Sequence, residues 1–305
     1  MRVLLFTSQD IGFEVVETLG RREELSLFVV ADRSARDDLY GYRSAIDACA
    51  AHGIPCVKAS RIDDDLHRRI AAFAPDIIVS VYYPHLISEN VLALSKAPAI
   101  NIHPGILPRY RGKFPTPWYI LNGEKQFGIA IHELSKEVDA GNVFVQELYD
   151  IPDRITGHEL YRLTMAHGAK LIARHLVDIA TGKLQSRPQQ GVGSYYSDFE
   201  KSFFIDWGKP RELIERRIRV HAKPYLPAYS KLINRFVFIN RAEPVVIHGY
   251  SAQRPGKILE VRENGDFVVN CTDGCLLIQE YEFGPTVSAD ELSHHLRVGN
   301  RFDYP

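Results

Sequence analysis

Met1-Arg2-Val3-Leu4-Leu5-Phe6, running on into Thr7-Ser8-Gln9-Asp10-Ile11-Gly12, sets the fold class. The short apolar run, bounded by polar residues, reads as a strand buried on both faces. Phe13 to Leu19 follows with apolar residues at helical spacing. The alternation then repeats. Leu25 to Ala31 reads as a strand, Tyr42 to His52 as a helix ending at Gly53, and Ile54 to Val57 as a short strand. Asp65 to Phe73 is a helix stopped before Pro75, and Asp76 to Val81 and Ala99 to His103 are further strands. Strands spaced by helices imply βαβ units in an α/β domain with a mainly parallel sheet. Right-handed crossovers would cover both of its faces. The turn after the first strand is neither G-x-G-x-x-G nor a phosphate-binding loop, so dinucleotide and ATP chemistry have no motif here. Ligands are still expected beyond the carboxyl ends of the strands.

Gly157 to Thr181 reads as one long helix with Leu160, Leu163, Leu171 and Leu176 roughly on one face and Gly182 as its cap. Arg187-Pro188-Gln189-Gln190-Gly191-Val192-Gly193 is punctuation without periodicity. It divides the chain into a Rossmann-like domain over 1–190 and a second domain over 191–305. Roughly 100–200 residues per domain fits that division. Beyond Trp207, Pro210 to Val220 reads as a linker helix. Short β-like runs follow at Phe236 to Asn240, Val245 to His248, Lys257 to Val261, Phe267 to Cys271 and Leu276 to Tyr281. Asn264-Gly265 and Asp273-Gly274 between pairs of these runs are hairpin signals. A small OB-like antiparallel β-barrel is expected.

A net charge of -1 over 305 residues leaves no electrostatic footprint for nucleic acid. Cys49, Cys56, Cys271 and Cys275 form no C-x-x-C and have no His pair at metal spacing beside them. They read as small apolar fillers in a reducing compartment, and no metal is expected. The first apolar run is too short for the core of a signal peptide, and no stretch approaches the roughly 20 apolar residues of a membrane span. A soluble, cytoplasmic protein is expected.

The stretch with chemical content is Ala99-Ile100-Asn101-Ile102-His103-Pro104-Gly105-Ile106-Leu107-Pro108-Arg109-Tyr110-Arg111-Gly112. Asn101 and His103 are two apart on a strand and so share a face. Pro104 ends the strand beside them. An amide can stabilise an oxyanion, and an imidazole can move protons near neutral pH. Acyl transfer to an amine needs both. The plainer reading is a hydrogen-bonded polar pair capping a strand. Ile129 to Leu134 alternates like a strand and leads to Ser135-Lys136-Glu137-Val138-Asp139-Ala140-Gly141. Asp139 reads either as a turn aspartate beside Gly141 or as a carboxylate that orients His103 and favours its charged form.

Asn101-Ile102-His103 with Gly105-Ile106-Leu107-Pro108-Arg109-Tyr110-Arg111-Gly112 resembles the signature of the folate-dependent formyltransferases, Asn-x-His-x-Ser-Leu-Leu-Pro-x-Tyr/Trp-Arg-Gly. Asp139-Ala140-Gly141, after the Ile129-Ala130-Ile131-His132 strand, resembles the family's second signature. The resemblance covers nearly the whole chain. It implies a donor, 10-formyltetrahydrofolate, and a catalytic group of Asn101, His103 and Asp139. In that group Asn101 polarises the formyl carbonyl, His103 handles protons and Asp139 raises the basicity of His103. The departure is Gly105, where the family usually has serine. Tyr82-Tyr83-Pro84-His85-Leu86-Ile87 looks like the loop whose backbone contacts the pterin, with the Ser135 to Asp139 segment as the opposite wall. The resemblance therefore implies donor contacts at Tyr83, His85, Leu86, Ile87, Leu107, Ser135, Lys136 and Val138. Lys113 matches a basic position near the folate tail or the acceptor. Trp118, Lys223 and Tyr225 are candidates to touch the acceptor, though each also suits ordinary packing or surface exposure. His132 and His221 are left as non-catalytic.

Branches of this family differ in the acceptor amine. A C-terminal barrel fits those acting on methionyl-tRNA or on nucleotide-linked amino sugars. The tRNA branch typically carries a basic loop after the second strand. Here Asp32-Arg33-Ser34-Ala35-Arg36-Asp37-Asp38-Leu39-Tyr40-Gly41 has three Asp against two Arg, a sum of -1. Phosphate binding would want the opposite sign. The Tyr82 to Ile87 segment and Tyr40-Gly41 look closer to sugar formyltransferases, including the domain acting on UDP-4-amino-4-deoxy-arabinose. The expectation is an N-formyltransferase for a nucleotide-linked amino sugar in lipopolysaccharide O-antigen biosynthesis, with no nucleic acid or membrane partner. A homodimer through a barrel or helix face is compatible with it. The alternatives are a methionyl-tRNA formyltransferase, a formyltetrahydrofolate hydrolase and a silent binding module. The hydrolase often has an N-terminal regulatory module, whereas Met1 here leads straight into the first strand. The intact Asn101, His103 and Asp139 speak against the silent module.

Overall fold

The computed structural model describes residues 1–33, 39–197, 203–247, 254–284 and 294–303. Residues 34–38, the centre of the loop whose charge was weighed above, lie outside the described residues. In chain order the elements are β1 (Arg2–Thr7), α1 (Gln9–Leu19), β2 (Ser26–Ala31), α2 (Ala45–Ala51), β3 (Cys56–Lys58), α3 (Asp64–Phe73), β4 (Ile77–Val81), α4 (Glu89–Leu92), β5 (Ile100–His103), β6 (Arg111–Gly112), α5 (Pro115–Asn122), β7 (Gln126–Glu133), β8 (Val143–Asp150), α6 (Gly157–Ala180) and β9 (Tyr195–Tyr196). The second half adds α7 (Arg211–His221), β10 (Ala228–Leu232), β11 (Arg235–Val245), β12 (Ile258–Val261), β13 (Phe267–Asn270), β14 (Cys275–Gly284) and β15 (Phe302–Asp303).

Local chemistry sets the helix ends. Asp63 caps α3 by accepting the Leu66 N–H at 2.8 Å. That helix stops at Ala74, which takes a left-handed φ of 48° just before Pro75. Ser44 accepts the Ile46 N–H at 3.2 Å, so α2 begins at Ala45 and not at Tyr42 as its apolar spacing suggested. Thr156 and Glu159 form a reciprocal capping box at the start of α6.

The chain resolves into two compact units. The first comprises 1–116, 126–150 and 161–197; the second comprises 117–125, 151–160 and 198–305. The first unit holds a seven-stranded sheet in the order β3-β2-β1-β4-β5-β7-β8. Its first five strands are parallel; β7 pairs antiparallel with β5, and β8 antiparallel with β7. Leu4, Phe6, Phe28 and Ile78 pack on one face against Leu66 and Ile70 of α3 and Val91 of α4. Each fully buried aliphatic side chain contributes roughly 1.5–3 kcal/mol. The parallel register Phe6–Ser80–Asn101 places Asn101 on that same side of the sheet.

In the second unit six antiparallel strands run in the order β12-β13-β14-β11-β10-β15. Ile258 donates to the Asn300 carbonyl and accepts from Gly299, and Phe302 donates to Gly256, so the two ends of this sheet are joined and it closes into a barrel. Both Asn-Gly and Asp-Gly hairpins form where the sequence placed them. Two details differ from the sequence reading. Phe236 to Asn240 is part of a longer strand, β11, which continues to Val245 with a register shift around Arg241, whereas Val246 and Ile247 of the next expected run lie outside any strand. His248, the end of the second run, lies outside the described residues. The strand β10 was missed, although its residues alternate buried and half-buried as a barrel strand should. Trp207 is fully buried in this barrel and donates its indole N–H to Ser230 at 3.1 Å. Among the described residues no helix is long and apolar enough to cross a membrane.

Candidate active site

β5 delivers Asn101 and His103 to the same side, at its carboxyl end. The antiparallel register of β5 and β7 sets His132 directly opposite Asn101. The loop after β7 then brings Asp139 back to this cluster. Asp139 has φ 51°, a left-handed conformation that aspartate tolerates better than most residues. Its Oδ2 lies 3.5 Å from His103 Nδ1, and its Oδ1 lies 3.3 Å from His132 Nε2. Asn101 Nδ2 donates to Asp139 Oδ1 at 3.4 Å and sits 3.2 Å from His132 Nε2. His132 Nδ1 donates to the Glu133 carbonyl at 2.8 Å. One carboxylate thus faces two imidazoles and an amide.

The loop bearing Asp139 is pinned from outside the sheet. Gly112 donates its N–H to Asp139 Oδ2 at 2.8 Å. Gly112 has φ 92°, and a Cβ there would stand 2.1 Å from the Tyr196 carbonyl oxygen, because β6 pairs in parallel with β9. Gln189 donates its amide to the carbonyls of Asp139 and Gly141, both at 2.8 Å, while its Oε1 accepts from Arg111. The Tyr195 hydroxyl accepts from Arg111 and donates to Glu137. Residues 187–196 therefore form a strap that backs the Asp139 loop.

Burial lowers the His103 pKa below the ordinary histidine value, against the pull of the Asp139 charge; His132 lowers it further, and the Tyr110 carbonyl raises it. Burial pushes Asp139 upward, but His103, His132 and the Gly112 N–H outweigh it and bring its pKa down to about 2. The Gly112 N–H adds a donor to Asp139 that does not depend on the state of the imidazoles. A neutral imidazole, a fixed carboxylate and an amide donor together can accept a proton and stabilise a developing oxyanion.

The residues expected at the donor pocket fall into two groups. Tyr82 and Tyr83 turn to opposite faces of the sheet: Tyr82 meets Tyr161 edge-on, and Tyr83 packs on Phe6 at 5.2 Å and donates to the Ala59 carbonyl. Burial pushes the Tyr83 hydroxyl up to about 12. His85 Nε2 lies 2.8 Å from the buried Asp32, and Ile87 packs in the core beside Tyr83. The side chains of Tyr83, His85 and Ile87 are thus each engaged by neighbouring residues of the first unit. Leu107 is also buried, its N–H donated to Gln146. Leu86 and Val138, by contrast, stand 96% and 57% exposed. They belong to segments that face each other, since Lys136 ion-pairs with Glu89 at 3.1 Å. Ser135 closes its own turn by donating to the Glu137 carbonyl.

Of the acceptor candidates, only Lys113 lies in the first unit, exposed, with its N–H donated to Tyr196. Trp118, Lys223 and Tyr225 belong to the second unit. There Lys223 pairs with Glu282, and the Tyr225 ring meets His158 edge-on. Lys223 also borders a polar cleft of ≈ 830 Å³ within that unit, with Arg219, Arg241 and Tyr281. Every cation on its walls, Arg154, Arg219, Lys223 and Arg241, is already paired with a carboxylate. Among the described residues no group of three or more His, Cys, Asp or Glu side chains could hold a metal ion.

Sequence reasoning missed His132, Gly112 and Gln189. His132 lies on the alternating β7 strand before Asp139 and Gly112 closes the motif that begins at Asn101, whereas nothing in the sequence marks Gln189.

The chain matches the formyl transferase family model over residues 19–176 and the formyl transferase C-terminal domain model over 200–295. Among solved structures it is similar to an N-formyltransferase from Helicobacter canadensis in complex with folinic acid and dTDP-3-aminofucose, at 18% identity and a TM-score of 0.70, covering 92% of this chain and 98% of that one. WlaRD, a sugar 3N-formyl transferase in the presence of dTDP and 5-N-formyl-THF, is also similar at 18% identity and a TM-score of 0.67, covering 92% and 97%. A sugar N-formyltransferase from a Shewanella species matches at 18% identity and a TM-score of 0.61, covering 81% and 99%. At such identity the likeness establishes a shared fold.

Proposed function

Because the chain belongs to the formyl transferase family, we propose that it transfers the formyl group of 10-formyltetrahydrofolate to the amine of a nucleotide-linked amino sugar. The observation that carries this reading is the convergence of Asn101, His103 and His132 on the Asp139 carboxylate. The fold shared with enzymes solved alongside dTDP and dTDP-3-aminofucose supports the sugar acceptor.

The chain offers a fitting seat for the donor. Leu86 and Val138, exposed on two facing segments, give apolar walls of the kind a flat heteroaromatic ring covers. When bound, the folate supplies a formyl group activated on a weakly basic nitrogen. Asn101 directs its Nδ2–H to the oxygen that gains charge as the amine adds. His103, neutral near pH 7, takes the proton that the amine loses and returns it to the departing nitrogen. Asp139 stays ionised throughout and steadies the imidazolium in between. His132 Nε2 lies 3.3 Å from the second carboxylate oxygen.

In this reading residues 1–190 form the catalytic domain and 191–305 the barrel domain. Lys113, Trp118, Lys223 and Tyr225 remain its candidate acceptor contacts. The enzyme would act in the cytoplasm, and its product would feed surface polysaccharide assembly such as lipopolysaccharide O-antigen.

The test is formyl transfer from 10-formyltetrahydrofolate to a panel of UDP-, GDP- and dTDP-linked amino sugars, with methionyl-tRNA alongside. Product with a sugar nucleotide is expected. Product with methionyl-tRNA alone would reassign the acceptor, and formate release without any amine would make the protein a hydrolase.

A further inference from the structure

Gly105 is buried between β5 and the turn at Tyr110. It is not among the residues with positive φ, so its backbone would accept another amino acid. Space is what demands glycine here. A Cβ at 105 would stand 2.4 Å from both Cδ2 and Nε2 of His103 and 2.8 Å from the Tyr110 carbonyl oxygen. The His103 ring thus lies over the spot a side chain would fill. The serine of the signature that this stretch resembles could not stand there with the ring in place.

The same seat decides which nitrogen is free. His103 Nε2 lies 2.7 Å from the Tyr110 carbonyl oxygen. A carbonyl only accepts, so Nε2 carries the hydrogen. In the neutral ring Nδ1 then bears the lone pair, and Nδ1 faces Asp139 Oδ2 at 3.5 Å. The proton that the reaction delivers can go only to Nδ1, where it meets the carboxylate. We propose that Gly105 is a positioning residue for the transfer reaction: by lacking a side chain it lets Tyr110 hold Nε2–H of His103 and makes Nδ1 the nitrogen that exchanges the proton. This inference rests on the formyl-transfer reading for its role and on the geometry alone for the tautomer.

Any side chain at 105 evicts the imidazole. The titratable groups that face it from the β7 side are Asp139 and His132. The backbone of Tyr110 cannot follow, because its N–H is held by Ser194 and its ring stacks on Tyr196 at 5.1 Å.

Long-range 1H–15N correlation NMR on protein labelled at histidine tests this, with His103→Asn assigning the signal. The wild type is expected to show His103 as the Nε2–H tautomer. Gly105→Ala and Gly105→Ser are expected to disturb that tautomer and to lower kcat on the order of tenfold or more, with KM for the sugar nucleotide within about twofold. A wild-type Nδ1–H tautomer would overturn the proposal, and so would Gly105→Ala with wild-type spectrum and kcat. Should the variants not fold, the wild-type tautomer still decides. If the wild type formylates no amine, the transfer reading fails while the tautomer result stands on its own.

Discussion

Gly141 lies so close to Glu133 that a Cβ on it would stand 2.0 Å from the Glu133 carbonyl oxygen. Glu133 also donates its N–H to the Asn142 carbonyl at 2.8 Å. The loop that carries Asp139 is therefore cinched at its neck. A methyl group there meets backbone, which cannot swing aside as a side chain can. Gly141→Ala is expected to cost about 1–3 kcal/mol of stability and to lower kcat at least tenfold by tilting Asp139. Thermal melting and steady-state kinetics read both effects. An unchanged kcat would mean that the neck does not set the carboxylate.

Asn101→Ala and His103→Ala should each slow turnover on the order of a hundredfold or more. Donor affinity, followed by fluorescence on titration with a folate analogue, should change little. Near-wild-type turnover in either variant would remove that residue from the catalytic group.

The buried imidazole sets the pH response. His103 has a pKa below the ordinary value of about 6.5, so its neutral form persists as the solution becomes more acidic than that. Asp139, with a pKa of about 2, stays ionised across the same range. The acid limb of kcat, measured at saturating substrates, should lie below about pH 6.5. A midpoint at or above that value would show that the ring is solvated during turnover.

His221, in the second unit, supplies a stability test. Burial, with Arg217 nearby, lowers its pKa to about 4. A depressed folded pKa means that the unfolded chain takes up the proton first. The contribution is whole above about pH 6.5 and is lost as the pH falls through about 4, a difference on the order of 3 kcal/mol. Melting temperature should decline over that window in the wild type, and His221→Gln should flatten the slope. An equal slope in both proteins would place the acid sensitivity elsewhere.

The strands and helices of the sheet were legible because their period is local: Val3 to Phe6 and Phe13 to Leu19 state their own structure. Asn101 and His103 were legible as a pair for the same reason. His132 was not, since its meeting with Asn101 depends on two strands running in opposite directions, which no single segment encodes. Gly112 was legible as the last residue of the motif but not as a partner of Asp139, because it acts through a backbone N–H that any residue possesses; Gln189 lies in a stretch without periodicity, and its side-chain amide meets the Asp139 loop only in the folded chain. Gly105 stood out as a departure from the motif, but only the position of the neighbouring ring gives it a reason. Segments 117–125 and 151–160, which group with the C-terminal unit, carry no mark of that packing in their composition.

The strap over residues 187–196 also bears on biosynthesis. Every strand of the large sheet is complete by Asp150, yet Gln189 and Tyr195, which hold the Asp139 loop, are made some forty residues later. Chains fold as they emerge from the ribosome. A nascent chain can thus display Asn101 and His103 on a finished sheet while its carboxylate still lacks backing. Catalytic competence arrives with the last stretch of the first unit to be translated.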